Sequence, residues 1–397
     1  MISCGILLPT DSSVENLKKS VVETGRLDFK FDVPVRYLSR SQISQYIADL
    51  VDKEYPDELA EKEEEFARLM GFSGFTDAPV PLKNLRKKII QENVGGMYNE
   101  KTKELLALEE YKTSGMMNML SLIHEFRHSI QDQHFGLARI LGDNSDFDDR
   151  KLAVLAAIEG DATFVMIKQM GLDPGEFGAA FSPETILSLS SVAGATELPH
   201  SPDLVKYQLL MPYLEGLKFS STIFDKKKWS GLNRVLKRPP LSSEQILHPE
   251  KYLLDEKPLP VEIRYIPNGM DQYHSGVVGE YFLNLLLKTD KPAVNTASGW
   301  GGDRFILYRN PGLWMLIWES LWDRESDCAR FSADFQRWIE KKFSVVFIPG
   351  RAGRVPFVAG ESPTDYFFLQ KDGSRLFYVR TNDRQKINEF ISGGLYD

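Results

Sequence analysis

The sequence predicts an α+β fold for this chain of 397 residues, and three patterns carry the prediction. Apolar residues recur at helical spacing through much of residues 38–171. A turn-rich stretch between two short apolar runs predicts a β-hairpin at residues 95–108. Beyond residue 206, helical and strand patterns follow one another, so the C-terminal half is predicted to be mixed α/β.

The predicted elements begin with an arm that leads into a strand at residues 33–37. Ser39 and Gln42 match a capping box, which predicts the start of a helix. The remaining elements follow from spacing and turn residues: helices at 61–70 and 82–92, the hairpin, helices at 121–135 and 151–170, helices near 276–288 and 326–342, and a terminal hairpin that turns at Asp372-Gly373.

Four regions follow from these patterns. We expect an N-terminal arm and strand at residues 1–37, a helical core at 38–171 and a mixed α/β region at 206–397 that completes a cleft. Residues 172–205 are rich in Gly, Pro, Ser and Ala, so we expect a linker or a surface excursion there.

The composition argues against several classes of protein. The formal net charge of −8 disfavours nucleic acid and anionic membranes as partners. With only two cysteines, Cys4 and Cys328, the sequence has no disulfide framework and no cysteine-rich metal site. No apolar run reaches the length of about 18 residues that a transmembrane helix needs.

The first five residues allow two interpretations. Met1-Ile2-Ser3-Cys4-Gly5 is similar to the end of a bacterial lipoprotein signal, in which a lipid is attached to the cysteine. If the sequence begins late, we expect an exported protein anchored through Cys4. The alternative is an ordinary N-terminus and a cytoplasmic protein, and the sequence does not decide between them.

The segment His124-Glu125-Phe126-Arg127-His128 is an HExxH motif within a predicted helix. Residues at positions i and i+4 project from one face of a helix, so His124 and His128 can bind one Zn²⁺ together. Glu125 then lies beside the open coordination position, where its carboxylate can accept a proton from water. The motif alone also occurs by chance on exposed helices.

A catalytic zinc site needs a third protein ligand, for which the candidate is Glu159. Its helix is apolar on nearly every side, and burying a carboxylate there costs several kcal/mol unless a cation or hydrogen bonds compensate it. Asp161 is the rival, but its side chain points roughly 200° away around the helix, so only one of the two can face the metal. We favour Glu159, and we expect Gly160 to allow close helix packing.

These segments resemble gluzincin metallopeptidases, which combine HExxH with a downstream glutamate ligand. The chain is more closely similar to a group of largely uncharacterised bacterial gluzincin-like proteins. The matching stretches are GGMYNEKTKEL (95–105), HEFRHSIQDQHF (124–135), EGDA (159–162), PPLSSEQILHPEKY (239–252) and GWGGDR (299–304).

The resemblance implies zinc ligation by His124, His128 and Glu159, with Glu125 as general base. It implies a gluzincin-like core with two zinc-bearing helices and a small sheet at the edge of the cleft. Phe126 and Arg127 depart from the group's pattern, and Arg127 is a candidate for altering substrate preference. The resemblance supplies no substrate.

Further polar residues are candidates for supporting roles. Asp132, like its neighbour Gln131, lies near the ligand face and is a candidate for orienting a ligand imidazole, or else it is a surface residue. His274 is a candidate donor to the oxyanion, because gluzincins take such a donor from a His or Tyr beyond the third ligand. Arg304 is a candidate for binding a substrate carboxylate or the oxyanion, and the alternative is an Asp303–Arg304 pair that locks a turn.

The sequence therefore predicts a zinc metallopeptidase that acts on a peptide or protein substrate. Two alternatives stay open. One is a non-catalytic zinc-binding or interaction protein on a peptidase-like fold. The other is a metal-dependent hydrolase of a non-peptide bond.

Overall fold

The computed structural model describes residues 13–76, 80–112, 115–142, 147–192, 195–288, 295–352 and 355–393. Cys4 lies outside the described residues. The described chain is mixed α+β, which confirms the predicted fold class. In this part of the chain, no helix combines the length and the apolar character needed to cross a bilayer.

The helices differ widely in length, and the longest, α11, is interrupted at Lys228. They are α1 Val14–Gly25, α2 Arg40–Glu54, α3 Asp57–Met70, α4 Leu82–Asn93, α5 Met116–Phe135, α6 Leu137–Leu141, α7 Asp149–Gln169, α8 Pro174–Ala180, α9 Pro183–Val192, α10 Glu197–His200, α11 Asp203–Lys237, α12 Ser243–Leu247, α13 Pro249–Leu253, α14 Gly279–Leu286, α15 Glu325–Phe343 and α16 Arg384–Gly393.

The strands form one small sheet and one large sheet. They are β1 Val35–Leu38, β2 Gly96–Asn99, β3 Glu104–Leu108, β4 Phe147–Asp148, β5 Asp271–Val277, β6 Trp300–Asn310, β7 Leu313–Trp322, β8 Val346–Ala352, β9 Val355–Glu361, β10 Tyr366–Asp372 and β11 Arg375–Thr381.

The small sheet has the strand order β1-β3-β2. The predicted hairpin is confirmed, since β2 and β3 pair antiparallel with Gly96 opposite Ala107 and Asn99 opposite Glu104. β1 pairs with β3 in parallel, so β2 is left as an edge strand. This edge lies against α5, as the contact between Tyr98 and Glu125 described below shows.

The large sheet has the order β4-β5-β6-β7-β11-β10-β9-β8. Neighbouring strands pair antiparallel except β4 and β5. The two-residue strand β4, just before α7, thus joins the C-terminal sheet in parallel. Side chains alternate between the two faces. Phe335 of α15 packs on Trp318 and Tyr378 on one face, and Phe390 of α16 packs on Phe368 on the other.

The helix α5 is held by a buried face opposite its histidines. Ile123, Phe126 and Ile130 are 0% exposed and pack into a cluster with α1, the small sheet and Val165 of α7. This spacing of three and four residues makes one apolar stripe. The stripe fixes the rotation of α5, so the other face, with His124 and His128, is directed away from the small-sheet core.

The helix α7 is buried along most of its length, as its apolar composition predicts. Gly160 packs against Gly216 of α11 so closely that a Cβ at Gly160 would lie 2.2 Å from the carbonyl oxygen of Gly216. The expected close approach at Gly160 is therefore present, and its partner is α11.

The range 172–205 is mostly helical: it contains α8, α9, α10 and the start of α11. Its prolines, which suggested a linker, mark helix starts instead. Pro174 stands in the first turn of α8, where its missing N–H costs no hydrogen bond, and Asp173 caps the helix. Leu198 of α10 is buried in the main core, so this segment is part of the packed structure.

Candidate metal centre

His124 and His128 of α5 and Glu159 of α7 bring three ligand atoms to one point. Nε2 of His124 lies 3.0 Å from Nε2 of His128 and 3.0 Å from Oε2 of Glu159. Nε2 of His128 lies 3.3 Å from the same oxygen. The side chains are 11–18% exposed, so the cluster lies below the surface but is open on one side.

This triangle has the size that a zinc ion requires. Ligand atoms about 2.0–2.1 Å from a tetrahedral Zn²⁺ lie about 3.3 Å from one another. The three observed separations are 3.0–3.3 Å. Two imidazole nitrogens and one carboxylate oxygen are also a donor set that zinc accepts, with a fourth position left for water or substrate.

A chain of buried side chains fixes the orientation of His128. The amide nitrogen of Gln131 donates to the carbonyl of Ile158 and to Asp161, at 2.9 and 2.8 Å. Because both partners are acceptors, the amide oxygen of Gln131 must be the atom that faces Nδ1 of His128, at 2.9 Å. Nδ1 therefore carries the proton in the neutral imidazole, and the lone pair of Nε2 points into the triangle.

Asp161 and Arg127 complete this chain. Arg127 is 0% exposed and binds Asp161 through two hydrogen bonds of 2.7 and 3.0 Å. Asp161, the rival ligand in the sequence, therefore anchors Gln131 from behind the metal cluster. Arg127 faces the interior, so its predicted influence on substrate preference has no support in its position.

The charges of the cluster are strongly coupled. Burial by itself raises the pKa of the Glu159 carboxyl, but His128 and His124 outweigh burial and lower it below its ordinary value. Burial by itself lowers the pKa of His128, but Glu159 outweighs burial and raises the pKa to about 9. The site thus favours a positive charge beside Glu159, which a metal ion would supply in place of a proton.

Glu125 lies beside the cluster on α5 and contacts the edge strand β2. Its Oε2 accepts a hydrogen bond from the backbone N–H of Tyr98, at 2.8 Å. Burial raises the pKa of the Glu125 carboxyl, although the neighbouring histidines oppose the change. A carboxylate whose pKa is moved upwards toward neutrality is better suited to accept a proton from water.

Tyr213 of α11 completes the surroundings of the cluster. Its ring stacks on His124 with centroids 6.1 Å apart, and its hydroxyl lies in the electrostatic field of Glu159. The charge of Glu159, then burial, raises the pKa of the Tyr213 hydroxyl well above its ordinary value, so the proton stays on the oxygen. Because 44% of Tyr213 is exposed, a bound molecule can reach it.

Asp132 contacts the hairpin, whereas the sequence predicted a contact with a ligand imidazole. Its carboxylate accepts hydrogen bonds from the hydroxyl of Tyr98 and the ammonium of Lys103, at 2.9 and 2.5 Å. Asp132 thus ties the hairpin to α5. The imidazole-orienting role predicted for it belongs to Gln131, which the sequence had placed on the same helix face.

His274 and Arg304 lie in the large sheet. The ring of His274 is buried between Phe66 and Phe305, and burial, followed by the charge of Lys62, lowers its pKa to about 4. Arg304 donates a hydrogen bond to Ser275 of the neighbouring strand, at 3.0 Å. The structure thus places His274, the predicted donor to the oxyanion, in the large sheet, whereas Tyr213 lies beside His124.

Asp303 forms no pair with Arg304. Its two carboxylate oxygens accept hydrogen bonds from the backbone N–H groups of Val278 and Gly279, at 2.7 and 2.8 Å, and from Trp300 Nε1, at 2.8 Å. The GWGGDR stretch therefore holds the start of α14 against β6. The predicted Asp303–Arg304 pair is therefore wrong, and the binding of a substrate carboxylate or the oxyanion by Arg304 stays a prediction.

A second group of acidic residues, Glu244, Glu256 and Asp323, surrounds the ammonium of Lys251. The three ion pairs measure 2.7, 2.6 and 2.6 Å, so the ammonium of the lysine already occupies the centre of the group. We therefore regard it as a structural ion cluster of the PPLSSEQILHPEKY stretch.

Three features of the centre escaped the sequence patterns: Gln131 as the hydrogen-bond partner of His128, Tyr213 as the ring beside His124, and Tyr98 as the backbone partner of Glu125. Gln131 could have been found, since it lies three residues after His128 on the same helix face. Tyr213 follows Glu159 by 54 positions and stands next to a proline inside α11, and no local pattern marks it.

Comparisons with known proteins bear on the C-terminal part of the chain. Residues 266–390 match the model of a family described as a domain of unknown function, DUF8575. This segment begins just before β5 and ends within α16, so it includes most of the large sheet and excludes α5 and α7. No curated protein and no solved structure matches the chain. The interpretation of the metal centre therefore rests on its own geometry.

Proposed function

We propose that this protein is a zinc-dependent metallopeptidase with His124, His128 and Glu159 as ligands and Glu125 as general base. The observation that carries the proposal is the triangle of ligand atoms with a base of raised pKa beside it. A purely structural zinc site is closed by four protein ligands and needs no base. Here three ligand atoms meet, which leaves a position for a reacting molecule.

Zinc bound at these three atoms would polarise a substrate carbonyl and make water an effective nucleophile near neutral pH. Glu125 accepts the proton of the water and later delivers it to the leaving amine. The N–H of Tyr98 holds one oxygen of Glu125 in place, so the other oxygen is left for the proton transfer. Tyr213 is the group that donates a hydrogen bond to the carbonyl oxygen as its negative charge develops.

The edge strand β2 supports a peptide as the substrate. The N–H of Tyr98 points to Glu125 and away from β3, and the backbone groups of Gly96, two residues earlier, face the same side. An extended peptide can add to such an edge through main-chain hydrogen bonds. A peptide bound there lies next to Glu125, because Gly96 is close to this side chain: a Cβ added at Gly96 would lie 3.8 Å from Cγ of Glu125.

The test compares the wild type with Glu125→Gln, which keeps the shape of the side chain and removes the base. We expect both proteins to bind one zinc ion per chain, as measured by elemental analysis. We expect the wild type to cleave members of a proteome-derived peptide mixture, as measured by mass spectrometry, and the variant to lose at least about 100-fold in rate.

Two outcomes would overturn the proposal. If Glu125→Gln cleaved peptides at the wild-type rate, Glu125 would not be the base. If the zinc-loaded wild type cleaved no peptide, a binding protein or a hydrolase of another bond would be favoured.

A further inference from the structure

A cavity of about 260 Å³ adjoins the metal centre on the side of Glu159 and Tyr213. It lies between α7 and α11, and residues of α3, of α4 and of the end of α2 close it at the far end. Glu159 and Tyr213 belong both to the surroundings of the metal centre and to the wall of the cavity. A substrate that reacts beside Glu125 can therefore place one of its groups in this space.

The part of the cavity next to the metal centre is lined by apolar side chains of two helices. Leu155 lies four residues before Glu159 on α7, and Leu209 lies four residues before Tyr213 on α11, so each shares a helix face with a residue of the centre. Leu155 and Leu209 are only half-buried, so an apolar group bound here would remove more of their surface from water. Further apolar residues of the wall are Leu59, Leu152, Pro212 and Phe282.

The far end of the cavity is polar, but its groups bind one another. Glu63 accepts hydrogen bonds from Arg86 and from the hydroxyl of Tyr55, at 2.8 and 2.6 Å. Arg86 also donates to Gln208, at 2.7 Å. The other charged residues of this end, which also have partners within the protein, are Glu54, Asp148 and Lys151. A charged group that entered the cavity would therefore lose its hydration without a matching gain.

The size of the cavity matches one large apolar side chain. An apolar cavity of about 150 Å³ accommodates benzene. The observed volume of about 260 Å³ therefore has room for a phenyl ring and its methylene group, but not for two linked rings. Leu155 is one helical turn, about 5–6 Å, from Glu159, which is within the reach of a phenylalanine side chain from a residue bound at the centre.

We propose that this cavity binds a large apolar side chain of the substrate, on a residue next to the scissile bond, and that Leu155 and Leu209 set the size that it accepts. Phenylalanine, leucine and methionine are the side chains that fit. Charged side chains are excluded, because the polar groups at the far end are already paired. This inference rests on the proposed function, since it identifies the substrate class of the same centre.

Zinc-binding hydroxamates test the cavity without any peptide cleavage. We would measure, by calorimetry on the zinc-loaded full chain, hydroxamates whose α-carbon carries a methyl, isobutyl, benzyl, biphenylmethyl or 2-carboxyethyl group. We expect the benzyl compound to bind about 10–100-fold more tightly than the methyl compound, because the cavity removes a large apolar group from water. The biphenylmethyl group is too long for the closed far end, and the carboxyethyl group is charged, so neither should show this gain.

Variants on opposite walls assign the preference to the cavity. Leu155→Phe and Leu209→Phe each fill part of the space, and each should reduce the ratio of the methyl to the benzyl dissociation constant by about tenfold. Leu155→Ala enlarges the space and should improve the binding of the biphenylmethyl compound. Leu254→Phe makes the matched change at an exposed position outside the cavity and should leave the ratio unchanged. A ratio near one in the wild type would overturn the inference, as would a ratio that both filling variants leave intact.

Peptides then show on which side of the cleaved bond the cavity lies. The set carries Phe, Leu, Met, Ala, Asp or Lys at each position near that bond. A preference for the large apolar residues at one adjacent position supports the inference. If peptides are cleaved without such a preference, the peptidase proposal stands and the assignment of the cavity fails. If no peptide is cleaved but the hydroxamate ratio is found, the proposed peptidase activity fails and the apolar site beside the metal centre stands.

Discussion

The protonation state of a ligand imidazole depends on residues that never touch the metal. Arg127 fixes Asp161, Asp161 fixes the amide of Gln131, and the amide oxygen of Gln131 fixes the proton on Nδ1 of His128. Each step follows from which atoms can donate and which can only accept. The chain therefore fixes the tautomer of the neutral imidazole, so Nε2 of His128 is the nitrogen that can bind a metal ion.

This argument predicts the effect of Gln131→Met on metal binding. The variant fills a similar volume but cannot accept from Nδ1, so His128 can rotate or carry its proton on Nε2. We expect the affinity for zinc to fall about 10–100-fold, as measured by competition with a chromophoric chelator.

The control is Asp132→Asn, next to Gln131 on α5. Asp132 holds the hairpin through Tyr98 and Lys103, so its replacement should leave the zinc affinity within about twofold of the wild type. If Asp132→Asn weakened zinc binding as much as Gln131→Met, the assignment of the orienting role to Gln131 would be wrong.

Tyr213→Phe tests the donor at the centre. The variant keeps the ring that stacks on His124 and removes only the hydroxyl. We expect zinc content to be unchanged and kcat to fall about 100-fold, with a smaller change in KM, because the hydroxyl acts on charge that develops during the reaction. The measurement is steady-state cleavage of a peptide identified in the profiling experiment. An unchanged kcat would contradict this role.

Residue roles could be predicted from the sequence where they depend on local spacing. His124 and His128 lie on one helix turn, and their separation from Glu125 is fixed by the helix itself. The angle between their side chains also predicted that only one of Glu159 and Asp161 can face the two histidines. The position of Tyr213 depends on how α11 crosses α7, which no short segment encodes. His274, the residue chosen from the sequence, lies in the large sheet instead.

At the scale of elements, the contact between α7 and α11 sets the position of Glu159. Gly160 follows the ligand directly, and a Cβ there would lie 2.2 Å from the carbonyl oxygen of Gly216. Backbone atoms cannot move aside as a side chain can, so any larger residue pushes the helices apart. The third ligand would move with α7.

We therefore expect Gly160→Ala to lower the free energy of unfolding by about 1–3 kcal/mol and to weaken zinc binding. Urea denaturation of the metal-free protein and chelator competition measure the two effects. Gly178→Ala in α8 is the matched control, because its Cβ would meet Lys218 at an ordinary 3.4 Å. It should leave the stability unchanged or raise it by up to about 1 kcal/mol, since alanine favours a helix. Equal losses in both variants would exclude close packing as the cause.

Element prediction succeeded where periodicity was strong and failed where composition was used instead. The hairpin at β2 and β3 and the helix α15 were recognised from their spacing. The three short helices between residues 174 and 200 were missed because their glycines and prolines were taken as signs of a linker. Glycine and proline are common both at helix ends and in linkers, so their presence does not distinguish the two. The burial of a residue such as Leu198 does.

On the scale of the whole molecule, buried polar contacts connect the metal-centre helix α7 to the C-terminal sheet. Asp149, in the first turn of α7, accepts a hydrogen bond from the backbone N–H of Ser243, at 2.7 Å. The hydroxyl of Ser243 accepts one from the backbone N–H of Tyr281 on α14, at 3.1 Å. Asp303 of β6 then binds the start of α14. The PPLSSEQILHPEKY and GWGGDR stretches thus take part in the junction between α7 and the large sheet.

Asp303 makes this junction sensitive to pH. Burial raises the pKa of its carboxyl from 3.8 to about 6, although the N–H groups of Val278 and Gly279 oppose the change. The folded state therefore binds the proton more tightly than the unfolded state does. The resulting contribution to stability is complete below about pH 4 and is lost as the pH rises through 6, and a difference of this size corresponds to about 3 kcal/mol.

Asp303→Asn removes this titration, because asparagine binds no proton in that range. The lost acceptor adds a contribution that does not vary with pH, since the amide offers one acceptor where the carboxylate offers two. Relative to the variant, the wild type should lose about 3 kcal/mol of unfolding free energy between pH 4 and pH 7, measured by urea denaturation with tryptophan fluorescence. Asp271→Asn, at an exposed position of β5, should show no comparable difference. A wild-type curve that runs parallel to that of Asp303→Asn over this range would show that Asp303 stays ionised, and the junction would then be held by its charged hydrogen bonds at every pH.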